Sequence, residues 1–255
     1  MTTIESDHRV GPLSSDLDAA TVIARAATEY ERLADALAAL SPDQWAAPTC
    51  CPGWDVRALA GHCLGMTTMT TSKREMVRQQ IAAGRAAKRS GAPMVDELTA
   101  LQVRENADAS PAALVDSLRT AGPRAARGRR RGPGIMRRAT VTQVTGGRPE
   151  KWRMSYLLDV ILTRDPWMHR SDIAAATGVP MRLSAEHDGA IVTDVVAEWA
   201  RRHGRSYDLT LTGPAGGHWR DGAGGEALTL DAIEFCRIVS GRGVGRGLLA
   251  TAVPF

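Results

Sequence analysis

Residues 49–62 read TCCPGWDVRALAGH: two adjacent cysteines, a Pro-Gly-Trp turn, an aspartate, and a helix-forming run that arrives at His62. Pro52-Gly53 breaks the chain, and Asp55 suits the start of a helix because a carboxylate there complements the unpaired N–H groups and the dipole. The stretch predicts a helix that begins at Trp54 or Asp55 and runs past His62 toward Ala83.

Working outward, DLDAATVIARAATEYERLADALAAL (16–40) has apolar residues at helical spacing and predicts an amphipathic helix, with SPDQW as its stop. After the break at SGAP, a third helix is expected from Met94 to Thr120, with Ser110 and Pro111 placed to restart it as N-cap and first residue, and Gly122-Pro123 to end it. KWRMSYLLDVILTRDPWMHRSDIAAATG (151–178) predicts a fourth. Four long helices in series predict a mainly α protein with an N-terminal four-helix bundle over 16–179, behind a tail at 1–15. Beyond Pro180 a further helix, the alternating YDLTLTG, Gly-rich turns around GHWRDG, then EALTLDA and a helical DAIEFCRIVSG indicate a small α+β domain over 180–255.

Composition narrows the classes. The chain has 255 residues, 44% hydrophobic and 24% charged, which suits a globular protein of one large or two ordinary domains. No window approaches the roughly 18–20 uncharged apolar residues of a membrane span, and the N-terminus lacks a basic-then-apolar signal pattern, so a cytoplasmic protein is expected. Cys50, Cys51, Cys63 and Cys236 form neither a disulfide framework nor a CxxC pair, and reduced thiols are expected. The net charge of +4 is unevenly spread: PRAARGRRRGPGIMRR (123–138) holds seven arginines and no acid, and reads as a long loop.

Asp165 and His169 stand four apart, so on one helix they share a face and can grip one ion. A third ligand must come from another helix, and His62 is placed for it. Two histidines and one carboxylate leave coordination positions open, the way catalytic zinc sites are built. A surface hydrogen bond or charge pair is the plainer account of such an i, i+4 pair. Asp172, three after His169, competes with Asp165 as the carboxylate, and Pro166 between the ligands removes one helical hydrogen bond.

CPGWDVRALAGH resembles the first signature of the mycothiol-dependent maleylpyruvate isomerase family, an actinobacterial branch of the DinB-like metal-binding bundles. RDPWMHRSDI is similar to its second, where a carboxylate stands four residues before a histidine and an aspartate follows three later. The resemblance runs over essentially the whole chain. It implies a DinB-like bundle carrying a divalent metal, zinc before nickel, manganese or iron, on His62, Asp165 and His169, with mycothiol as thiol cosubstrate. The family's isomerase has Glu where this chain has Asp165. Matching a Gly-Arg pair in the appended domain makes Arg242 the candidate catalytic arginine that holds an anionic substrate group, beside a plainer role at a helix C-terminus.

A metal at such a site lowers the pKa of a coordinated thiol, which is the chemistry for S-transfer to a small electrophile or for cis-trans isomerisation. S-transfer is preferred, with maleylpyruvate isomerisation the alternative and a non-catalytic, metal-stabilised binding or regulatory protein the second. Among the loop arginines, Arg129, Arg130 and Arg131 are candidates to meet anionic groups on the thiol cofactor. A solvated loop, an anion-binding lid and nucleic-acid contact are the competing accounts of the run, and the absence of interleaved aromatics argues against the last. Cys51 just before a helix start admits a reactive role, against a structural one in the turn.

Overall fold

The structure, a computed structural model, describes residues 12–131 and 134–255; most of the expected tail at 1–15, and Gly132-Pro133 of the arginine run, lie outside them. Helix α1 (Ala19–Ala38) starts where Asp18 Oδ1 accepts from the Thr21 amide at 3.0 Å. A one-turn helix α2 (Pro42–Trp45) follows, and α3 (Val56–Met69) is capped by Asp55, whose Oδ1 accepts from the Ala58 amide at 2.8 Å. The turn before it closes through Trp54 N–H to the Cys51 carbonyl at 3.0 Å. Gly53 has φ +77°, as position i+2 of a type II turn after proline requires.

The single helix expected from Trp54 to Ala83 is two. Helix α3 ends in TTMTTS, where the hydroxyls of Thr67, Thr68, Thr70 and Thr71 all donate back to carbonyls three or four residues earlier. These side chains compete with the backbone for its own acceptors. Ser72 then caps α4 (Lys73–Ser90), accepting from the Glu75 amide at 3.1 Å. Helix α5 (Met94–Glu105) and helix α6 (Pro111–Gly128) are separate, restarted by Ser110 and Pro111 as the sequence indicates. Pro123 does not end α6: it is exposed, while Ala121, Gly122, Ala125 and Ala126 stay buried against α1, and that packing carries the helix onward to Gly128.

The arginine run is not one long loop. Arg124 and Arg127 lie on α6, and Arg137 and Arg138 on a short α7 (Gly134–Arg138). A hairpin then follows, β1 (Thr140–Thr145) antiparallel to β2 (Arg148–Arg153), turned by Gly146-Gly147. The first residues assigned from sequence to the fourth helix thus belong to β2. Leu13 extends this sheet, its amide donating to the Lys151 carbonyl at 3.0 Å, so the expected tail is docked from there on.

After α8 (Met154–Tyr156) and a π-helical turn (Leu157–Ile161) comes α9 (Leu162–Thr177), the most enclosed helix, with nearly every residue from Leu162 to Ile173 buried. It passes through Pro166 unbroken. Proline offers no N–H to the carbonyl four residues before it, and that carbonyl, of Leu162, accepts instead from the buried guanidinium of Arg129. A π-helical turn (Ala185–Gly189) leads into α10 (Ala190–His203). Strand β3 (Tyr207–Thr212) lies between antiparallel β4 (Gly217–Asp221) and parallel β5 (Glu226–Asp231), and α11 (Ala232–Val239) follows β5, before a 3₁₀ turn (Gly247–Ala250). The GHWRDG segment, read from sequence as turns, is strand β4.

One core holds the bundle through Leu33, Leu37, Leu59, Leu114 and Leu118, each worth roughly 1.5–3 kcal/mol when fully buried. A second forms around Trp199, Phe235 and Leu209 and takes in Trp167 and Met168 of α9. Helix α9 is thereby clamped from both sides, which fixes the side chains it carries.

Candidate metal centre

His62 on α3 and Asp165 and His169 on α9 converge. One donor atom from each lies within 4.8 Å of the other two. His62 Nε2 is 3.7 Å from Asp165 Oδ2, and His169 Nε2 is 3.5 Å from Asp165 Oδ1. Those separations are long for direct hydrogen bonds. They are close to the mutual spacing, about 3–4 Å, of ligand atoms that share one zinc-sized cation at its usual bond lengths.

The polar surroundings fix both rings. Gln79 Nε2 donates to the Gly65 carbonyl at 3.2 Å and to Glu75 Oε1 at 2.9 Å, which leaves Gln79 Oε1 to accept from Gln102 Nε2 at 2.9 Å. Gln102 Oε1 must then accept, and it faces His62 Nδ1 at 2.9 Å. The proton of His62 therefore sits on Nδ1, and Nε2 turns a lone pair toward Asp165 and His169. Gly65 makes this approach possible: a Cβ there would stand 2.5 Å from the Gln102 side chain. On the other side His169 Nδ1 donates to Asp172 Oδ2 at 3.0 Å, again leaving Nε2 inward. Histidines held through their outer nitrogen, with the inner one free, are the usual arrangement of metal ligands.

Asp172 is itself anchored. It accepts from Arg242 Nε at 2.7 Å and Nη2 at 2.8 Å, from Arg237 Nη1 at 2.9 Å, and from Cys50 Sγ at 3.1 Å. Both its oxygens are taken, so of the two carboxylates open from the sequence, Asp165 is the one that faces the histidines. Asp165 Oδ2 is buried without any hydrogen-bond partner, although its side chain keeps 20% exposure overall. The carboxylate thus sets an unpartnered oxygen beside His62 Nε2 and its other oxygen beside His169 Nε2, and a divalent cation fits that donor set.

Electrostatics point the same way. Burial pushes the Asp165 carboxyl up, but the nearby imidazoles of His169 and then His62 hold it well below the usual carboxylate range. Burial opposes the His169 imidazolium, yet Asp165 and Asp172 raise its pKa well above the ordinary value. Burial also opposes Asp172, and His169 and Arg242 together keep it ionised. Positive charge is thus favoured at this spot.

The remaining sequence candidates fall elsewhere. Arg242 does come to the site, but as the bidentate partner of Asp172. Arg129 is buried beside Tyr30 and Thr163; Arg130 pairs with Asp159 at 2.9 Å; Arg131 is exposed. None of the three bonds to His62, Asp165 or His169; Arg129 comes nearest, donating to Thr163 Oγ1, two residues before Asp165. Trp54 packs on His62 with ring centroids 5.2 Å apart. Burial raises the Cys51 thiol, but the hydrogen bond and charge of neighbouring His169 bring it below its ordinary value; burial pushes Cys63 up to about 12. Sequence reasoning missed Gln102, Gln79 and Arg237, which carry no local signal: each reaches the site from an element remote in sequence.

Fold and donor set together define a helical bundle with a His₂-carboxylate centre on facing helices. The family model for the mycothiol maleylpyruvate isomerase N-terminal domain matches residues 26–174, more than half of the chain, and the protein belongs to that family. Two solved structures are similar in fold: the mycothiol-dependent maleylpyruvate isomerase and a histidine-to-alanine mutant of it. Each is 16% identical, with a TM-score of 0.54, over 89% of this chain and 91% of theirs. No curated protein matches in sequence.

Proposed function

We propose that this protein is an enzyme that holds a divalent cation, zinc before nickel, manganese or iron, on His62, Asp165 and His169. With it the protein activates a low-molecular-weight thiol for S-transfer to, or cis-trans isomerisation of, a small electrophile. The carrying observation is the convergence of two imidazole Nε2 atoms on the Asp165 carboxylate, His62 beside Oδ2 and His169 beside Oδ1. Mycothiol is named in the family model and in both similar structures, and it is the thiol proposed here. Bound at these three residues, the cation would supply the Lewis acidity that makes a thiol ionise at neutral pH.

The chain's own groups do the rest. Gln102 and Asp172 keep the protons of His62 and His169 on Nδ1, so that both inner nitrogens present lone pairs. Trp54 covers one face of His62 and limits water there. Cys63, pushed up to about 12, stays a thiol and does not compete with an incoming one. Arg242 remains the candidate for an anionic substrate group, since its Nη1 has only a long 3.4 Å contact with Ser240 Oγ while Nε and Nη2 hold Asp172. Arg129 and Arg130 are given no part in holding the thiol: neither bonds to the three ligands, and Arg130 is paired with Asp159.

S-transfer is favoured over isomerisation because the family resemblance points to a thiol more firmly than to any one electrophile. The test is consumption of mycothiol with a panel of electrophiles, maleylpyruvate included, by wild type, His62→Ala and His169→Ala. The wild type should turn over and each variant, still folded by circular dichroism, should fall more than about a hundredfold. Folded variants that keep full activity would sink the reading; variants that merely unfold would make the centre structural.

A further inference from the structure

A cavity of about 380 Å³ opens where α3 passes into α4, beside the Arg129 guanidinium. Its wall includes Leu158, seven residues before Asp165 on the same helical run, and Thr70, eight after His62. At 1.5 Å per residue those are roughly 10–12 Å from the metal ligands, and the cavity shares no residue with them. Met76, Met136, Met154 and Leu158 make its apolar side. Methionine walls adapt to ligands of varied shape.

Its charge is one-sided. Lys73, Arg129, Arg131 and Arg137 line it, and among the described residues no acidic one does. Arg137 is neutralised by Asp159. Lys73 and Arg131 are exposed and form no ion pair among the described residues. Arg129 is the telling one: it is 2% exposed, and its Nη atoms donate only to neutral oxygens, those of Tyr30, Thr163 and the Leu162 carbonyl. Its guanidinium lies over the Tyr30 ring at 4.9 Å, and its Nε has no hydrogen-bond partner among the described residues. A buried guanidinium without a carboxylate is a costly state unless an anion arrives from outside. The N-terminus of α4, an 18-residue helix capped by Ser72, opens onto the same space and adds partial positive charge.

We propose that this cavity is a second binding site, for a small organic anion with an acidic head and an apolar body. The head sits against Arg129, Arg131 and Lys73, and the body lies along the methionines. The site is independent of the metal centre, so its test does not depend on the proposed reaction.

The experiment titrates 1-anilinonaphthalene-8-sulfonate into the folded full chain and follows its fluorescence, with decanoate and uncharged decanol as competitors. One saturable site is expected, emptied by decanoate at concentrations where decanol has little effect. The double variant Lys73→Glu/Arg131→Glu, altered only at exposed positions, should bind the probe at least about tenfold more weakly while keeping its circular dichroism and its metal content. Non-saturating binding, displacement by decanol as effective as by decanoate, or unchanged affinity in the folded double variant would each overturn the proposal.

Discussion

Arg170 and His169 are neighbours on α9 and face opposite ways, into two buried clusters of charge with opposite character. Arg170 donates to Glu29 Oε1 at 2.7 Å and Oε2 at 3.1 Å, to Asp188 Oδ1 at 2.6 Å and to the Arg182 carbonyl at 3.0 Å. Glu29 also meets His187 Nε2 at 2.8 Å, and Asp188 meets Arg32, Trp167 Nε1 and the Ser184 amide. No side-chain atom of Glu29, Arg170 or Asp188 is left without a partner. The cluster around His169 is equally well supported on its outer side but leaves Asp165 Oδ2 open at its centre. A closed network serves the fold, tying α1 and α9 to the π-helical turn before α10; an open one with a fixed outer shell is built to receive something.

The difference can be broken from either side. The largest effect on the fold should come from Arg170→Ala, which strands Glu29 and Asp188 in the interior: a loss of about 3–5 kcal/mol in denaturant unfolding is expected. His169→Ala should cost less stability in the metal-free protein, because Asp172 keeps its bonds to Arg237 and Arg242; a loss as large as that of Arg170→Ala would erase the contrast. Next, Asp172→Asn should weaken metal affinity about 10–100-fold in chelator competition with the fold retained, since it removes the charge that orients His169. Unchanged affinity would mean that Asp172 only ties α9 to Arg237 and Arg242.

The smallest effect is a pH signature of the closed cluster. Burial raises the Asp188 carboxyl, but Arg170 and the Ser184 amide hold it below its ordinary value of 3.8. A depressed carboxylate contributes stability that is present above 3.8 and is lost as pH falls through the lower folded value. The stability gap between wild type and Asp188→Asn should therefore be constant at neutral pH and shrink only on acidification below about 4. A gap that changes between pH 6 and 8 would point to another group.

What the sequence made legible was local. Pro52-Gly53 and Asp55 predicted the turn and cap of α3, and the i, i+4 spacing with the two motifs predicted that His62, Asp165 and His169 would lie together. What it hid was either competition within a helix or contact across the fold. The threonines of TTMTTS ended α3 early through side-chain bonds that helical periodicity does not register. Pro123 was overruled by the small-residue packing of α6 on α1, and Pro166 by Arg129, which supplied the missing donor from another helix. Gly146-Gly147 was a readable two-residue hairpin signal, masked by the arginines before it. The Glu75–Gln79–Gln102–His62 chain had no local signal, because its order exists only once α3, α4 and α5 are packed.

Elemental analysis of the purified wild type beside folded His169→Ala shows whether the His62–Asp165–His169 cluster holds a metal. About one equivalent of a divalent transition metal is expected in the wild type and none in the variant. A wild type without metal, whose melting temperature is unmoved by added zinc, would contradict the account.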